Sequence, residues 1–288
     1  MDQLIPAALA LLAALLFAVN AYLQRRALSD TDPTTGAFLS VAATAGVCWL
    51  LAPLFVQPEW FASRGALVFA AVGLFFPAMG QWMQITSVSF VGPSLTASLS
   101  SLTPLFAVLI GVVWLNEALN LQASLGLALT IGGLVLATWS PRGIKRGWPI
   151  WALAFPVGAA LVRGVAQPGI KVGLALLPSP AFALLLGASI SAVFLGLLVL
   201  GRRARGRGRI GAGWPRFLLV GVMNAAGILS LNAALGRGAL TLVSPLVATT
   251  PLWALALGVT VFHSETLGWR HLAVALLVVA GGVLILTH

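Results

Sequence analysis

The sequence predicts an all-α integral membrane protein of ten transmembrane helices, arranged as two five-helix inverted-topology repeats. Three features lead there: too few charges for a water-facing surface, ten apolar runs of membrane-crossing length, and a chain that repeats itself. Of the 288 residues, 60% are hydrophobic and only 8% are charged. A soluble domain carries about a quarter of its residues as Asp, Glu, Lys or Arg, so a soluble globular protein is excluded. A helix needs about 20 residues to cross a bilayer, and ten such spans fit this length with short connections.

The runs lie near 4–24, 34–56, 66–87, 93–115, 120–139, 148–172, 178–200, 215–236, 242–262 and 269–287. The first is expected to stay on the protein and not to be a cleaved signal peptide: its leader carries Asp2, and Arg25-Arg26 follow the run. Its far end holds an i,i+4 amide pair, Asn20 and Gln24. The second contains the single cysteine, Cys48, so no intrachain disulfide forms. The third carries Pro77, Gln81, Trp82 and Gln84, with Pro77, Gln81 and Gln84 on one face. The fourth is interrupted at Pro104 behind Ser100, Ser101 and Thr103, and the fifth is glycine-rich. In the sixth, Arg163, Gln167 and Lys171 follow one another at four-residue spacing. The eighth carries Asn224 and Asn232, and the ninth is interrupted at Pro251 behind Thr249 and Thr250, with Trp253 just beyond. The tenth is again glycine-rich.

Twelve Lys and Arg fall in loops one, three, five, seven and nine: Arg25, Arg26, Arg142, Lys145, Arg146, Arg202, Arg203, Arg205, Arg207, Arg209, Arg216 and Arg270. The other side holds Arg64, Lys171 and Arg237. The positive-inside rule makes the twelve cytoplasmic and both termini periplasmic. The net charge of +10 is thus a topology signal, and no nucleic acid is expected as a partner. The Arg-rich loop 202–209 is expected to touch anionic lipid.

Residues 94–113 and 241–260 match at an offset of 147, with Pro104 on Pro251. Glu117 then falls on Glu265, Gly133 on Gly281, Gly80 on Gly227 and, with a shorter offset, Arg26 on Lys171. This divides the chain into halves 1–140 and 148–288 joined by 141–147. Each half holds an odd number of spans, so the copies lie upside down relative to one another, a signature of secondary transporters.

Two halves that each end in a Pro-containing helix, a loop Glu (Glu117, Glu265) and a Gly-rich last span (Gly126, Gly132, Gly133; Gly281, Gly282) resemble the EamA-type members of the drug/metabolite transporter superfamily. More narrowly, the chain resembles the YddG-type aromatic amino-acid exporters. The resemblance implies a ten-helix bundle that moves small metabolites, often outward.

The candidate substrate-binding residues are Arg163, Gln167, Asn20, Gln24, Gln81, Gln84, Trp82, Asn224, Asn232 and Trp253, with Pro104 and Pro251 as gating or hinge positions. Arg163, 15 residues beyond Trp148 and so about 22 Å along a helix, either attracts an anionic group, snorkels to the nearer interface or bonds free carbonyls beside Pro168. The amides either line a polar cavity or bond helix to helix. Matched proline breaks point to a binding region or to a hinge. Trp82 and Trp253 are deep enough to stack on a flat substrate, whereas Trp60, Trp114, Trp139, Trp148, Trp214 and Trp269 sit at span ends as interfacial belts. Lys171 and Arg26 read best as end anchors, and Glu117 and Glu265 as caps of spans five and ten.

All six acidic residues lie outside the spans or at their ends, and His263, His271 and His288 sit at span ends. The pathway therefore offers no titratable group for proton coupling, which favours a uniport-like exporter. The leading expectation is a bacterial inner-membrane exporter of aromatic or other large neutral amino acids, working by alternating access around a cavity between the repeats. No metal and no cofactor is expected; the partners are a small-molecule substrate and membrane lipid, and a monomer is compatible with the sequence. A phosphorylated-sugar antiporter of the same superfamily would want more cations at cavity depth than Arg163. A membrane-embedded enzyme would need convergent nucleophile, base or metal ligands that the spans lack, and a passive channel would show no saturation of flux.

Overall fold

The structure, a computed structural model, describes residues 3–27, 31–91, 99, 102–117, 120–138, 147–205, 211, 213–261, 273, 276–277, 280–281 and 284. Among these every regular element is helical. The helices are α1 (Leu4–Ala27), α2 (Pro33–Phe55), α3 (Arg64–Gly73), α4 (Ala78–Val91), α5 (Thr103–Leu115), α6 (Leu121–Thr138), α7 (Ala154–Leu176), α8 (Pro180–Ala204), α9 (Trp214–Leu235), α10 (Leu240–Val247) and α11 (Thr250–Thr260). Short 3-10 turns, Pro58–Ala62 and Ile150–Leu153, precede α3 and α7. Of the last run, residues 273, 276–277, 280–281 and 284 are described, all helical.

Starts and stops follow local chemistry. Asp32 accepts from the Thr35 amide at 3.2 Å and Pro33 opens α2; Ser63 accepts from Ala66 at 3.1 Å, Asn120 from Ala123 at 2.8 Å and Ser179 from Phe182 at 3.3 Å. Each acceptor satisfies an amide that the first turn leaves without a partner. After α5, Asn116 takes the left-handed conformation (φ 51°) that ends a helix.

Stretches Thr34–Phe55, Arg64–Gln84, Ile150–Leu176, Pro180–Ala204 and Trp214–Leu235 are each long and apolar enough to cross a membrane. Leu50, Leu67, Val113 and Leu197 point outward and exposed, whereas the interior favours small residues. Ala10, Ala13, Ala14 and Ala18 of α1 are fully buried, the close backbone packing that helices use when lipid already satisfies their outer faces.

Two spans predicted as single helices are divided. The third is α3 followed by α4, broken over residues 74–77, and the ninth is α10 followed by α11, broken over 248–249. The cause is proline, which lacks an amide and frees the carbonyl four residues earlier. Pro77 frees the Gly73 carbonyl, and the Ser191 hydroxyl of α8 donates to it at 2.8 Å while accepting from the Ala78 amide at 3.3 Å. Pro251 frees the Val247 carbonyl, to which the Thr250 hydroxyl donates at 2.7 Å; Thr249 donates to Leu246 at the same length. Pro251 therefore breaks the ninth run, whereas Pro104, buried, stands in the first turn of α5.

Helix directions can be read from contacts. The α1–α9 pair is antiparallel: Phe17 lies against Gly227 and Pro6 against Gly238. The third span runs antiparallel to α7, with Phe69 against Gly173, Val72 against Gly169 and Met83 against Gly158. In α2 and α8, Asp32 meets Arg202, Phe38 meets Gly196 and Trp49 meets Ser189, again antiparallel. Helix α2 runs parallel to α9 (Gly36 to Phe217, Ala43 to Gly221), as α3 does to α8 (Phe69 to Phe182, Gly73 to Gly187). Corresponding spans α1 and α7 thus run in opposite directions, as do α2 and α8. Exchanging each of these spans for its counterpart maps the α1–α9 pairing onto the α7–third-span pairing.

At the α2–α9 crossing Gly221 meets backbone as well as side chain: a Cβ there would lie 2.4 Å from the Ala43 Cβ and 2.7 Å from the Ser40 carbonyl oxygen. Gly221→Ala is expected to cost about 1–3 kcal/mol, seen as a lower unfolding temperature of detergent-purified protein. An unchanged temperature would show that α2 and α9 separate at no cost.

Candidate functional site

The cation Arg163 sits near the middle of its helix. Because the segment before Ala154 is a 3-10 turn and not the start of the α-helix, Arg163 is the tenth of the 23 residues of α7, about 14 Å from its start. That is more central than the sequence spacing suggested. The side chain is half-buried and its stem packs against Gly80 of α4. It makes no hydrogen bond or ion pair with any described residue. A guanidinium inside a bilayer is costly to leave without a partner, and the stem of this one lies against the third span.

Gln167, one turn further along α7, is buried and its Oε1 has no partner among the described residues. Gln81 and Gln84 are half-buried beside Gly80 on α4. Asn20 of α1 is buried, and its Oδ1 has no partner among the described residues. Arg163 thus lies against α4 at Gly80, the neighbour of Gln81 and one turn before Gln84, with Gln167 on the following turn of α7. On another face of α7, Gly164 permits close approach to α5, where a Cβ would lie 2.5 Å from the Phe106 Cβ.

Other expected site residues are placed elsewhere. Asn224 donates to the Thr44 hydroxyl at 3.5 Å, and Thr44 donates to the Gly221 carbonyl at 2.9 Å, so this amide ties α9 to α2. Asn232 is not at the depth of Asn224 but three residues from the end of α9, where it donates to the Pro180 carbonyl at 3.4 Å. Its unpartnered Oδ1 adjoins a cavity lined by Phe76, Pro77, Gly187 and Ile228, about the size of one water. Trp82 is 37% exposed and packs edge-on to Phe155 at 5.9 Å, within an aromatic group that includes Phe90 and Trp151. Trp253 is half-buried, two residues past Pro251. The side chains of Gln24, Arg26 and Pro251, and Glu265 as a whole, lie outside the described residues.

Glu117 and Lys171 differ from expectation. Asn120, not Glu117, caps the fifth span. Glu117 instead accepts from the first amides of α10, Leu240 at 3.0 Å and Thr241 at 3.1 Å, and from the Lys171 ammonium at 2.6 Å. Lys171 also donates to the Gly238 carbonyl at 2.8 Å, so its ammonium is engaged by the protein at this end of the helix. The sequence signal was available, since the repeat places Lys171 and Glu117 as paired counterparts of Arg26 and Glu265, but only folding brings residues 54 apart into contact.

With this geometry established, similarity to known proteins can be placed. A family profile described as EamA-like transporter family matches residues 4–139 and 150–287. The chain belongs to the EamA-like transporter family. It is a multi-pass membrane transporter of the drug/metabolite superfamily. A solved structure described only as "Crystal structure of protein" superposes with a TM-score of 0.77 at 14% identity, covering 98% of this chain and 95% of that one; at that identity the likeness speaks to fold alone. Comparison with curated proteins finds no match.

Burial raises the Glu117 pKa, but the Leu240 amide, the Lys171 ammonium and the Thr241 amide outweigh it and hold the carboxyl below its ordinary value. A depressed folded-state pKa gives stability that is present above the unfolded carboxylate value and is lost as pH falls through the folded one. The stability gap between the native chain and Glu117→Gln is therefore expected to be full at about pH 7 and to close below about pH 4. Thermal unfolding across that range checks it; a gap that persists in acid would contradict the charged cap.

Proposed function

We propose that this EamA-family transporter exports small amphipathic metabolites, aromatic or large neutral amino acids foremost, across a bacterial inner membrane, and that it is not an enzyme. Halves 1–140 and 148–288 act as inverted-topology repeats that expose one central site alternately to either side. The antiparallel course of α1 relative to α7, and of α2 relative to α8, supports that reading. The Lys and Arg count supports cytoplasmic loops one, three, five, seven and nine, with periplasmic termini.

The observation that carries the substrate class is Arg163. A guanidinium near mid-bilayer, half-buried and without a partner among the described residues, is suited to a carboxylate, which it binds through charge-assisted, bidentate hydrogen bonds. Gln167, Gln81 and Asn20 supply amides for the polar end of an amino acid. Trp253, next to the α10–α11 break, offers a flat face for an aromatic side chain. Acidic residues placed only outside the spans or at their ends support transport down the substrate gradient without proton coupling.

The test is flux in proteoliposomes with labelled Phe and Trp against Ala, Lys and a sugar phosphate, with and without a pH gradient. The expected outcome is saturable Phe or Trp flux indifferent to the gradient. Arg163→Gln is expected to insert normally and to lower that flux by about tenfold or more, the weight of a charge-assisted hydrogen bond. Undiminished flux in Arg163→Gln would remove the carboxylate role, and dependence on the gradient would remove uncoupled export.

A further inference from the structure

At the end carrying Glu117, formed by residues 56–63, 116–117, 120, 177–179 and 236–239, a large buried apolar cluster gathers the tips of several spans, among them Ala7, Phe69, Leu174, Phe182, Leu235 and Leu240. Trp60, Phe61 and Phe69 each pack edge-on to Phe182, at 5.8, 5.0 and 6.2 Å. The Glu117 end is sealed by apolar packing.

Across this seal lies one charged contact that the binding site does not use. Glu117 belongs to the first half of the chain; Lys171, Gly238, Leu240 and Thr241 belong to the second. Lys171 is held by the Glu117 carboxylate and the Gly238 carbonyl, and Glu117 by Lys171 and two α10 amides. The side chains retain 26% and 10% exposure, so water can reach the pair when it parts. An apolar seam can slide, but a hydrogen-bonded ion pair is made or broken as a unit.

We propose that Glu117 and Lys171 are a latch holding this end closed, and that they part each time the transport site opens toward it. The idea rests on the alternating-access reading above. Lys171 is the moving half: releasing it frees α7 from the α5–α6 turn while Glu117 stays on the α10 amides. Neither residue touches substrate; both set the balance between the closed and open states of this end.

The test reads the gate and needs no substrate. In a Cys48→Ala background, Ala166→Cys places a thiol at a position only 1% exposed, five residues below Lys171. Its rate of modification by a membrane-impermeant maleimide, applied from the Glu117 side of reconstituted protein, reports opening. Lys171→Met is expected to raise that rate about tenfold, the loss of a charge-assisted contact in the closed state, whereas Lys171→Arg stays near the unsubstituted rate. Lys171→Gln, which keeps a donor for Gly238, serves if the Met variant does not fold, and is expected to fall between. Equal rates in all variants, or reduced thermal stability without faster modification, would overturn the latch. Absence of amino-acid flux alongside faster modification would count against the proposed substrate and leave the latch standing.

Discussion

A lipid bilayer offers no hydrogen bonds, so each backbone group left without a partner inside it costs several kcal/mol. That constraint explains why discontinuities in the third and ninth spans are bridged. Pro77 divides the third span, and Ser191 from α8 bridges the gap by donating to Gly73 and accepting from Ala78. Pro251 divides the ninth, and Thr250, its neighbour, donates to the carbonyl that the proline frees. Breaks bridged this way keep the bundle intact while leaving the backbone bent beside the centre of the protein.

The same rule assigns meaning to the polar side chains. Most have found partners: Thr44 and Asn224 join α2 to α9, Asn232 reaches the Pro180 carbonyl, and Arg202 pairs with Asp32. Arg163, Gln167 and Asn20 retain hydrogen-bonding capacity among the described residues, as do the Thr31 and Ser244 hydroxyls and one atom each of Asn232 and Arg202. A protein that moves a polar molecule must keep donors and acceptors in reserve, at a cost that its packed, small-residue interfaces offset. The Glu117–Lys171 contact is the converse case: a charged pair fully engaged at one end of the bundle, beside a buried apolar cluster.

Much of the fold could be read from residue order alone. Low charge, apolar runs of sufficient length and the offset of 147 between halves are one-dimensional properties, and they lead directly to a helical membrane protein in two repeats. Asp32-Pro33 and Ser179-Pro180 announce helix starts because capping acts over three residues. Pro251 announces a discontinuity because a missing amide is local. The length of α7 was harder: Ile150–Leu153 is apolar enough to belong to the helix, yet it winds as a 3-10 turn, which moves Arg163 to the middle of its span.

Tertiary structure decided what one dimension does not encode. Whether an amide serves substrate or packing depends on the helix it faces; thus Asn224, indistinguishable from Asn20 by composition or burial, is spoken for by Thr44. Glu117 looked like the cap of the helix that follows it, because capping normally acts within one turn. It caps a helix more than 120 residues away because the first and second halves meet there. Sequence by itself determined that the chain spans a membrane as a duplicated bundle, since hydropathy, topology charges and repeats are properties of residue order. The central cation and the pair that closes one end were fixed only by packing, because both depend on contacts between spans distant along the chain.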